Sequence, residues 1–309
     1  MRISIIIPNY NGEELLRKNL PAIFSAVQYY ESKNKDKVEI IVIDDASSDQ
    51  SLNFLRSQSV VLVENKKNIG FAMSVNKAVE HAKGEIIILL NSDVSPQKDF
   101  LLPLLVCFKD ENVFAVGCMD KSIENGKTIL RGRGLGKWQK GFLVHSRGEV
   151  NKSNTLWVSG GSGAFRKSIW EKLEGFNPLY YPFYWEDIDI SYRGLKAGYT
   201  ILFEPKSIVI HEHEKGIIKK KYSHFEIKTI SYKNQFTFIW INITDLLFQF
   251  QHIFWLPYHF IKAIINRDFA FFLGFSKALF LLPKIVQSSF HIQKIFVKRD
   301  KEIIEEIEK

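Results

Sequence analysis

The chain has 309 residues, 46% hydrophobic and 25% charged, which excludes a disordered or fibrous polymer and describes one large or two small globular domains. Its two cysteines, Cys107 and Cys118, form no CxxC pair, so a disulfide scaffold and a thiolate zinc finger are excluded and a reducing compartment is expected. The net charge of +8 is uneven: 14 Lys and Arg between Lys215 and Lys301 face only four acids, in a window that also holds 19 aromatic residues, so the preceding part is close to neutral.

From the start, Met1-Arg2 runs directly into a strand-like Ile3–Ile7 with no charged leader, so no secretory signal is expected. Helical spacing follows at Leu15, Leu16, Leu20, Ile23 and Val27, with Pro21 expected to break or kink it. Next come a strand over Val38–Ile43, a short helix over Leu52–Leu55, a strand over Val60–Val63, and a helix carrying Phe71, Val75, Ala78 and Val79. Strands over Ile86–Leu90 and Val113–Val116 complete the series. The strand runs are continuously apolar, the pattern of strands covered on both faces. Strand alternating with helix predicts a Rossmann-like α/β fold, a mainly parallel sheet with helices on both faces.

In such sheets ligands bind beyond the carboxyl ends of the strands. There this chain carries Pro8-Asn9-Tyr10-Asn11-Gly12, then Asp44 to Asp49, then Asn65 to Gly70, then Asn91-Ser92-Asp93. Ser47, Ser48 or Asp49 equally suit a helix cap, and Asn9 to Gly12 an ordinary turn. Asp44, Asp45 and Asp93 at neighbouring strand ends would repel unless hydrogen-bond donors or a cation compensate, and a divalent metal on a diphosphate is the simplest compensation. No GxGxxG follows the first strand, and Gly126-Lys127-Thr128 lacks the strand and spacing of a P-loop.

The glycine-rich segment from Gly126 to Gly141, with Arg131, Arg133, Lys137 and Lys140, reads as a mobile, positively charged loop, suited to a phosphate or simply solvated. Trp157 to Phe165, with Gly160 and Gly161, offers small residues where a ligand can approach the backbone. A helix is expected from near Arg166, and another from Glu186 to near Gly198 that opens on Glu186, Asp187 and Asp189. Acids there complement the helix dipole, but the preceding aromatic run through Trp185 also suits stacking on a sugar and a raised carboxylate pKa. The strand Ser207–Ile210 ends in His211-Glu212-His213-Glu214, either exposed surface or part of a metal shell.

Taken in order, Ile5 to Asn11, Asp44 to Asp49, Asn68-Ile69-Gly70-Phe71-Ala72 with Asn76, Leu90 to Asp93, Gly160 to Phe165, Glu186-Asp187-Ile188-Asp189 and His211 resemble the family 2 glycosyltransferases of GT-A fold, most closely the bacterial rhamnosyltransferase-like group that builds surface polysaccharides. The resemblance spans about residues 1–215 and implies that this part is a nucleotide-sugar transferase domain. It implies that Pro8, Asn9, Tyr10, Asn11, Asp44, Asp45, Asn68, Gly70, Phe71, Asn76, Asn91, Ser92 and Asp93 bind the donor, with Asp44 and Asp45 on base and ribose. Asn91-Ser92-Asp93 occupies the DxD position with Asn replacing its first acid, leaving Asp93 with His211 to hold Mn²⁺ or Mg²⁺. Asp187, beside Glu186, corresponds to the general base, and Trp157, Gly160, Gly161 and Trp185 lie where donor sugar and acceptor meet. The implied reaction is single displacement with inversion, from a dTDP-rhamnose-like or UDP-sugar to a hydroxyl of a glycan, expected to be lipid-linked because the tail suits a membrane. A nucleotidyltransferase on a similar sheet and a catalytically silent scaffold are the alternative readings.

Residues 216–309 read as a basic, aromatic-rich, amphipathic α-helical region. Phe236, Ile239, Trp240, Ile243, Leu247, Phe250 and Phe254 follow one helical stripe opposite Asp245, Gln249 and His252, and a second stripe runs from Phe269 to Val286. Neither supplies an uninterrupted span of about 20 apolar residues. The expectation is attachment to an anionic membrane surface, with Lys219-Lys220-Lys221 a solvated turn or lipid-facing patch and the protein at the inner face of the plasma membrane; helices packing only on the first domain are the alternative. Nucleic acid is not an expected partner, because the aromatics follow a core-like stripe instead of alternating with basic residues.

Overall fold

The computed structural model describes residues 1–124, 127–211 and 221–308; Gly126, Glu212, His213, Glu214, Lys215, Lys219 and Lys220, named above, lie outside them. The first half runs β1 (Arg2–Asn9), α1 (Glu13–Lys33), β2 (Lys37–Asp44), α2 (Ser51–Leu55), β3 (Val61–Glu64), α3 (Phe71–His81), β4 (Ile86–Leu90), β5 (Val94–Pro96), α4 (Leu101–Val106) and β6 (Val113–Glu124). Then follow β7 (Lys127–Arg131), β8 (Gly134–Gln139), β9 (Phe142–Arg147), β10 (Ser162–Arg166), α5 (Lys167–Lys172), α6 (Glu186–Lys196) and β11 (Thr200–His211). The C-terminal region comprises α7 (His224–Asn242), α8 (Leu246–Ile265), α9 (Phe269–Phe280), α10 (Leu282–Ile292) and α11 (Asp300–Glu308).

The main sheet has the order β3-β2-β1-β4-β10-β6-β11-β5, with β7 paired to β6. Strands β1 to β4 are parallel, β10 lies antiparallel between β4 and β6, and β6 and β11 are parallel to each other. The carboxyl ends of β1, β2, β4, β6 and β11 therefore share one edge. Antiparallel β10 starts at that edge, opposite Leu90, and short β5 sets Val94 beside His211.

The continuously apolar runs have a simple explanation. Successive side chains on a strand point to opposite faces. Ile6, Ile41, Ile43, Ile87 and Leu89 enter one core with α3, α5 and α6, whereas Ile5, Ile7, Val42, Ile86, Ile88 and Leu90 enter the other with Leu16, Leu20 and Ile23 of α1 and Leu101 and Leu104 of α4. Pro21 does not break α1, which runs through it as one 21-residue helix whose face of Leu16, Leu20, Ile23 and Ala26 is buried on the sheet; that packing offsets the lost backbone bond.

Two other expectations are corrected. The segment up to Gly141 is not a loop over its described residues but β7 and the β8–β9 hairpin. The hairpin turns at Lys140-Gly141, both at positive φ (48° and 77°), the conformation that matches strand twist in a two-residue turn. Arg133 is buried there, donating to the Asn154 backbone oxygen and Oδ1. The stripe from Phe236 to Phe254 is likewise not one helix. It divides at Ile243 to Asp245, where the Thr244 and Asp245 amides donate to the Asp300 carboxylate at 2.7 and 2.8 Å.

The C-terminal helices continue the core: Phe236, Phe238 and Ile239 of α7 and Ile303, Ile304 and Ile307 of α11 pack in the same cluster as the sheet residues Ile6 and Ile41. Asp300 also forms a fully buried ion pair with Lys196 of α6 at 3.0 Å and accepts from the Tyr192 hydroxyl at 2.7 Å. No single helix among the described residues is long and apolar enough to cross a membrane; α9 and the segment Leu282–Ile295 pass that test only as a pair, bent by 65°.

Candidate active site

The shared strand edge opens into a cleft of about 400 Å³. It is lined by Pro8, Asn9 and Tyr10 at the end of β1, Asp45 after β2, Asn68, Gly70 and Phe71 at the start of α3, and Asn91, Ser92 and Asp93 after β4. Gly160 and Gly161 before β10, Glu186 and Asp187 opening α6, His211 ending β11, and Lys221 and Tyr222 before α7 complete it.

The two aspartates at the end of β2 do different work. Asp44, fully buried, accepts from Ser47 N at 2.8 Å, Ser47 Oγ at 2.6 Å and Asn9 Nδ2 at 2.8 Å, so it closes the loop and does not reach the cleft. Asp45 accepts from Asn65 Nδ2 at 2.9 Å and from the Ile69 and Gly70 amides at 2.8 Å, presenting the start of α3 to the cleft. Hydrogen-bond donors thus supply the compensation that these two acids require. Asn11 also serves the loops, accepting from Ser48 N at 2.7 Å, and Asp49 ties the starts of α1 and α2 through the Glu13 and Ser51 amides. Asn76 lies behind the cleft, bonded reciprocally to the backbone N–H and oxygen of Phe176, whose ring meets Phe71 at 5.8 Å. Gly70 stands at φ 85°, and a Cβ there would meet the Tyr181 ring at 2.8 Å, so glycine is required on both counts.

Asp93 and His211, far apart in sequence, are brought together by the β5–β11 pairing and meet at 3.2 Å from Oδ2 to Nε2. The other imidazole nitrogen, Nδ1, lies 3.0 Å from Asp120 Oδ2. Burial alone would lower the His211 pKa, but its hydrogen bonds to Asp120 and Asp93 outweigh it and push the pKa up to about 9. A carboxylate behind a histidine fixes which nitrogen faces outward and raises its basicity, the arrangement found behind metal-ligating histidines. Nε2 of His211 and the Asp93 carboxylate suit a divalent ion such as Mn²⁺, with Asn91 contributing no charge. Among the described residues no group of three or more His, Cys, Asp and Glu stands ready to hold a metal, so other oxygens, from ligand or water, must complete a shell.

Across the cleft, α6 begins at Glu186 after two residues in the left-handed region, Tyr184 (φ 70°) and Trp185 (φ 75°). Burial pushes the Glu186 carboxyl up to about 8, helped by the charge of Asp187, and its Oε2 has no hydrogen-bond partner. Burial also raises Asp187, while the amides of Ile188 (2.8 Å) and Gly160 (3.4 Å) oppose the rise. Asp189 is architectural: it accepts from Tyr180 Oη, Asn242 Nδ2 and Arg193 Nε in full burial. Trp157 and Trp185 do not line the cleft. Trp185 is buried with its ring 5.1 Å from Phe238 and 5.2 Å from His145, which also meets Trp157 at 5.4 Å.

Three groups with no role in the site expected from the sequence act here; Lys221, expected in a solvated turn or a lipid-facing patch, instead faces the cleft. Asp120 stands behind His211. Lys221, within a run of lysines, enters the cleft over the Tyr10 ring at 4.7 Å. Lys233 and Asn234 of α7 gather the backbone preceding the acid pair: Lys233 Nζ donates to the Leu179 and Tyr181 oxygens, and Asn234 Nδ2 to those of Tyr180, Phe183 and Tyr184. Burial lowers the Lys233 amine to about 8. Only a lysine and an asparagine inside an aromatic helix signalled this.

Residues 4–173 match the family model described as glycosyl transferase family 2. The chain belongs to that family. Proteins similar to it include a probable glycosyltransferase, YdaM, of Bacillus subtilis, 28% identical over 67% of this chain and 50% of its own length. The O-antigen chain rhamnosyltransferase RfbN of Salmonella typhimurium is 25% identical over 69% of this chain and 67% of its own. The chain thus spans about half the length of the first relative. Among solved structures, GalNAc-T7 with UDP, GalNAc and Mn²⁺ superposes with a TM-score of 0.61 at 18% identity, covering 80% of this chain and 48% of that one, which shows the GT-A fold. The family match ends before Glu186, Asp187 and His211, so those positions rest on the cleft's geometry.

Proposed function

We propose that this glycosyltransferase moves a sugar, with inversion, from a dTDP- or UDP-linked donor to a hydroxyl of a lipid-linked glycan acceptor in surface-polysaccharide synthesis. The observation that carries this is the meeting, in one cleft, of the Asp93–His211 pair with the Glu186–Asp187 pair. Support for the substrate class comes from the rhamnosyltransferase name of one relative and from the UDP and Mn²⁺ that accompany GalNAc-T7 in its structure.

Asp45, through the amides it orders, and Asn9, Tyr10 and Asn68 form the wall for the nucleoside, and Lys221 brings positive charge toward the diphosphate. Mn²⁺ or Mg²⁺ held by Asp93 and His211 would stabilise the negative charge of the leaving diphosphate. Asp187 takes the proton from the attacking acceptor hydroxyl; its burial raises its affinity for that proton, which is what a base working near neutral pH needs. Burial pushes the Glu186 carboxyl up to about 8, so near neutral pH it keeps its proton and leaves the negative charge of the pair with Asp187. No covalent intermediate is needed when base and leaving-group site occupy one cleft.

The test is a thermal-shift screen of nucleotide sugars with Mn²⁺ and with chelator, because a ligand of the folded state raises its apparent stability. One diphosphate sugar should shift the midpoint only with metal, and Asp187→Asn should retain that shift while losing transfer. Absence of any shift, or near-normal turnover by Asp187→Asn, would overturn the assignment.

A further inference from the structure

Helix α8 is apolar on two sides, of which the protein covers one. The covered side packs Phe248, Phe260 and Ala263 against the core and adds polar ties: Gln251 Oε1 accepts from Trp138 Nε1 at 2.6 Å, His252 bonds the Gly141 oxygen and Trp240 Nε1, and His259 Nε2 lies 2.8 Å from the Lys140 oxygen. A second apolar side faces outward. Leu246, Phe250, Ile253, Phe254, Ile264 and Ile265, spaced along one helical face, are 65 to 80% exposed. Phe269, opening α9, extends the strip at 69%. A water-facing strip of this length and composition is not how a helix ordinarily ends its packing, and large exposed apolar patches mark interaction surfaces.

The surrounding charge says what covers it. Lys262 of α8, Arg267 in the turn that follows it, Lys277 of α9 and Lys284 of α10 are exposed, while the single acid between residues 246 and 299, Asp268, is already held by Lys228 at 2.8 Å and the Tyr232 hydroxyl at 2.7 Å. At the edge of the strip, Lys140 Nζ reaches the Tyr258 hydroxyl at 3.0 Å and lies 5.7 Å from the Trp255 ring, placing two amphipathic aromatics and a cation together as at a headgroup boundary. Two copies of this chain meeting by the same face would bring like charges together. An anionic bilayer complements both the apolar strip and its positive border.

We propose that the outer face of α8, continued by Phe269, is a membrane-docking surface that lies in the interface of an anionic lipid bilayer. The helix that spans no membrane is thereby the one that enters its surface, and the buried α7 and α11 are not. This surface differs from the stripe expected from the sequence, since Phe236, Ile239 and Ile243 of that stripe are core residues. Neither the donor nor the acceptor bears on it.

The experiment is flotation of the full chain with vesicles of phosphatidylcholine alone and of phosphatidylcholine mixed with phosphatidylglycerol, for wild type, Phe250→Glu/Phe254→Glu and Lys262→Glu/Lys277→Glu. All four substituted side chains are exposed, so the fold should persist by circular dichroism. Wild type should float with the anionic vesicles. The Phe double variant should lose about tenfold or more in partitioning, and the Lys double variant should lose the preference for anionic lipid. Wild type that floats with neither vesicle, a Phe variant that floats as well as wild type, or a Phe variant that only converts a dimer to a monomer in light scattering would each overturn the proposal.

Discussion

Asn234→Ala tests whether the C-terminal helices build the catalytic site. Asn234 is fully buried, and its Nδ2 lies 3.0, 2.8 and 2.8 Å from the oxygens of Tyr180, Phe183 and Tyr184. An amide nitrogen carries two hydrogens, so the three carbonyls share two hydrogen bonds. Losing these at about 1 kcal/mol each, and leaving carbonyls unpaired at a further cost of about 1 kcal/mol or more, predicts a destabilisation of about 3 kcal/mol. Asn234→Asp should cost more, because a buried carboxylate would face three carbonyl oxygens. Urea unfolding followed by circular dichroism measures the loss of stability. Turnover below the unfolding range measures the effect on the site: kcat should fall further than KM changes, because the affected backbone carries Tyr184 and Trp185 into the left-handed turn before Glu186. An alanine variant with stability within about 0.5 kcal/mol of wild type and undiminished kcat would refute the reasoning.

Asp120→Asn should weaken Mn²⁺ binding about 10- to 100-fold in calorimetry by releasing the imidazole orientation of His211, while leaving the fold intact. Glu186 holds its proton up to about pH 8 in the folded state, whereas an ordinary glutamate loses it near 4.5. The folded chain then binds more protons than the unfolded one between these values, so this group makes stability fall as pH rises through the window. Glu186→Gln should remove that slope from the pH dependence of the unfolding midpoint, and parallel curves for the two proteins would contradict the shift. Asp300→Ala strands the buried Lys196 ammonium and should cost about 3–5 kcal/mol in urea unfolding.

The α/β framework was legible because its signals are local. Continuous β-branched runs marked β1, β2 and β4, and the polar clusters that follow each run marked the cleft's edge before any strand order was known. Misreadings came where local signals are degenerate. Glycines and cations between residues 127 and 141 describe a loop as readily as a hairpin. The two-residue turn that pairs β8 with β9 has Lys140, not a usual turn residue, at its first position, and Gly136 is needed because a Cβ there would lie 2.4 Å from the side chain of Leu156, 20 residues on. The stripe from Phe236 to Phe254 keeps its period through Ile243 to Asp245, where Asp300, 55 residues on from Asp245, interrupts the helix.

The sequence by itself determined the strands and helices of the first hundred residues and which residue types collect after each of those strands, because side-chain period and turn chemistry act over a few residues. Only the tertiary structure decided that Asp44 closes a loop while Asp45 reaches the cleft, that Asp120 backs His211 across 91 residues of chain, and that α8 leaves one of its two apolar sides outward. Those outcomes depend on which surfaces are already covered by distant neighbours, and periodicity reports that a helix has two faces without reporting which one the rest of the protein takes.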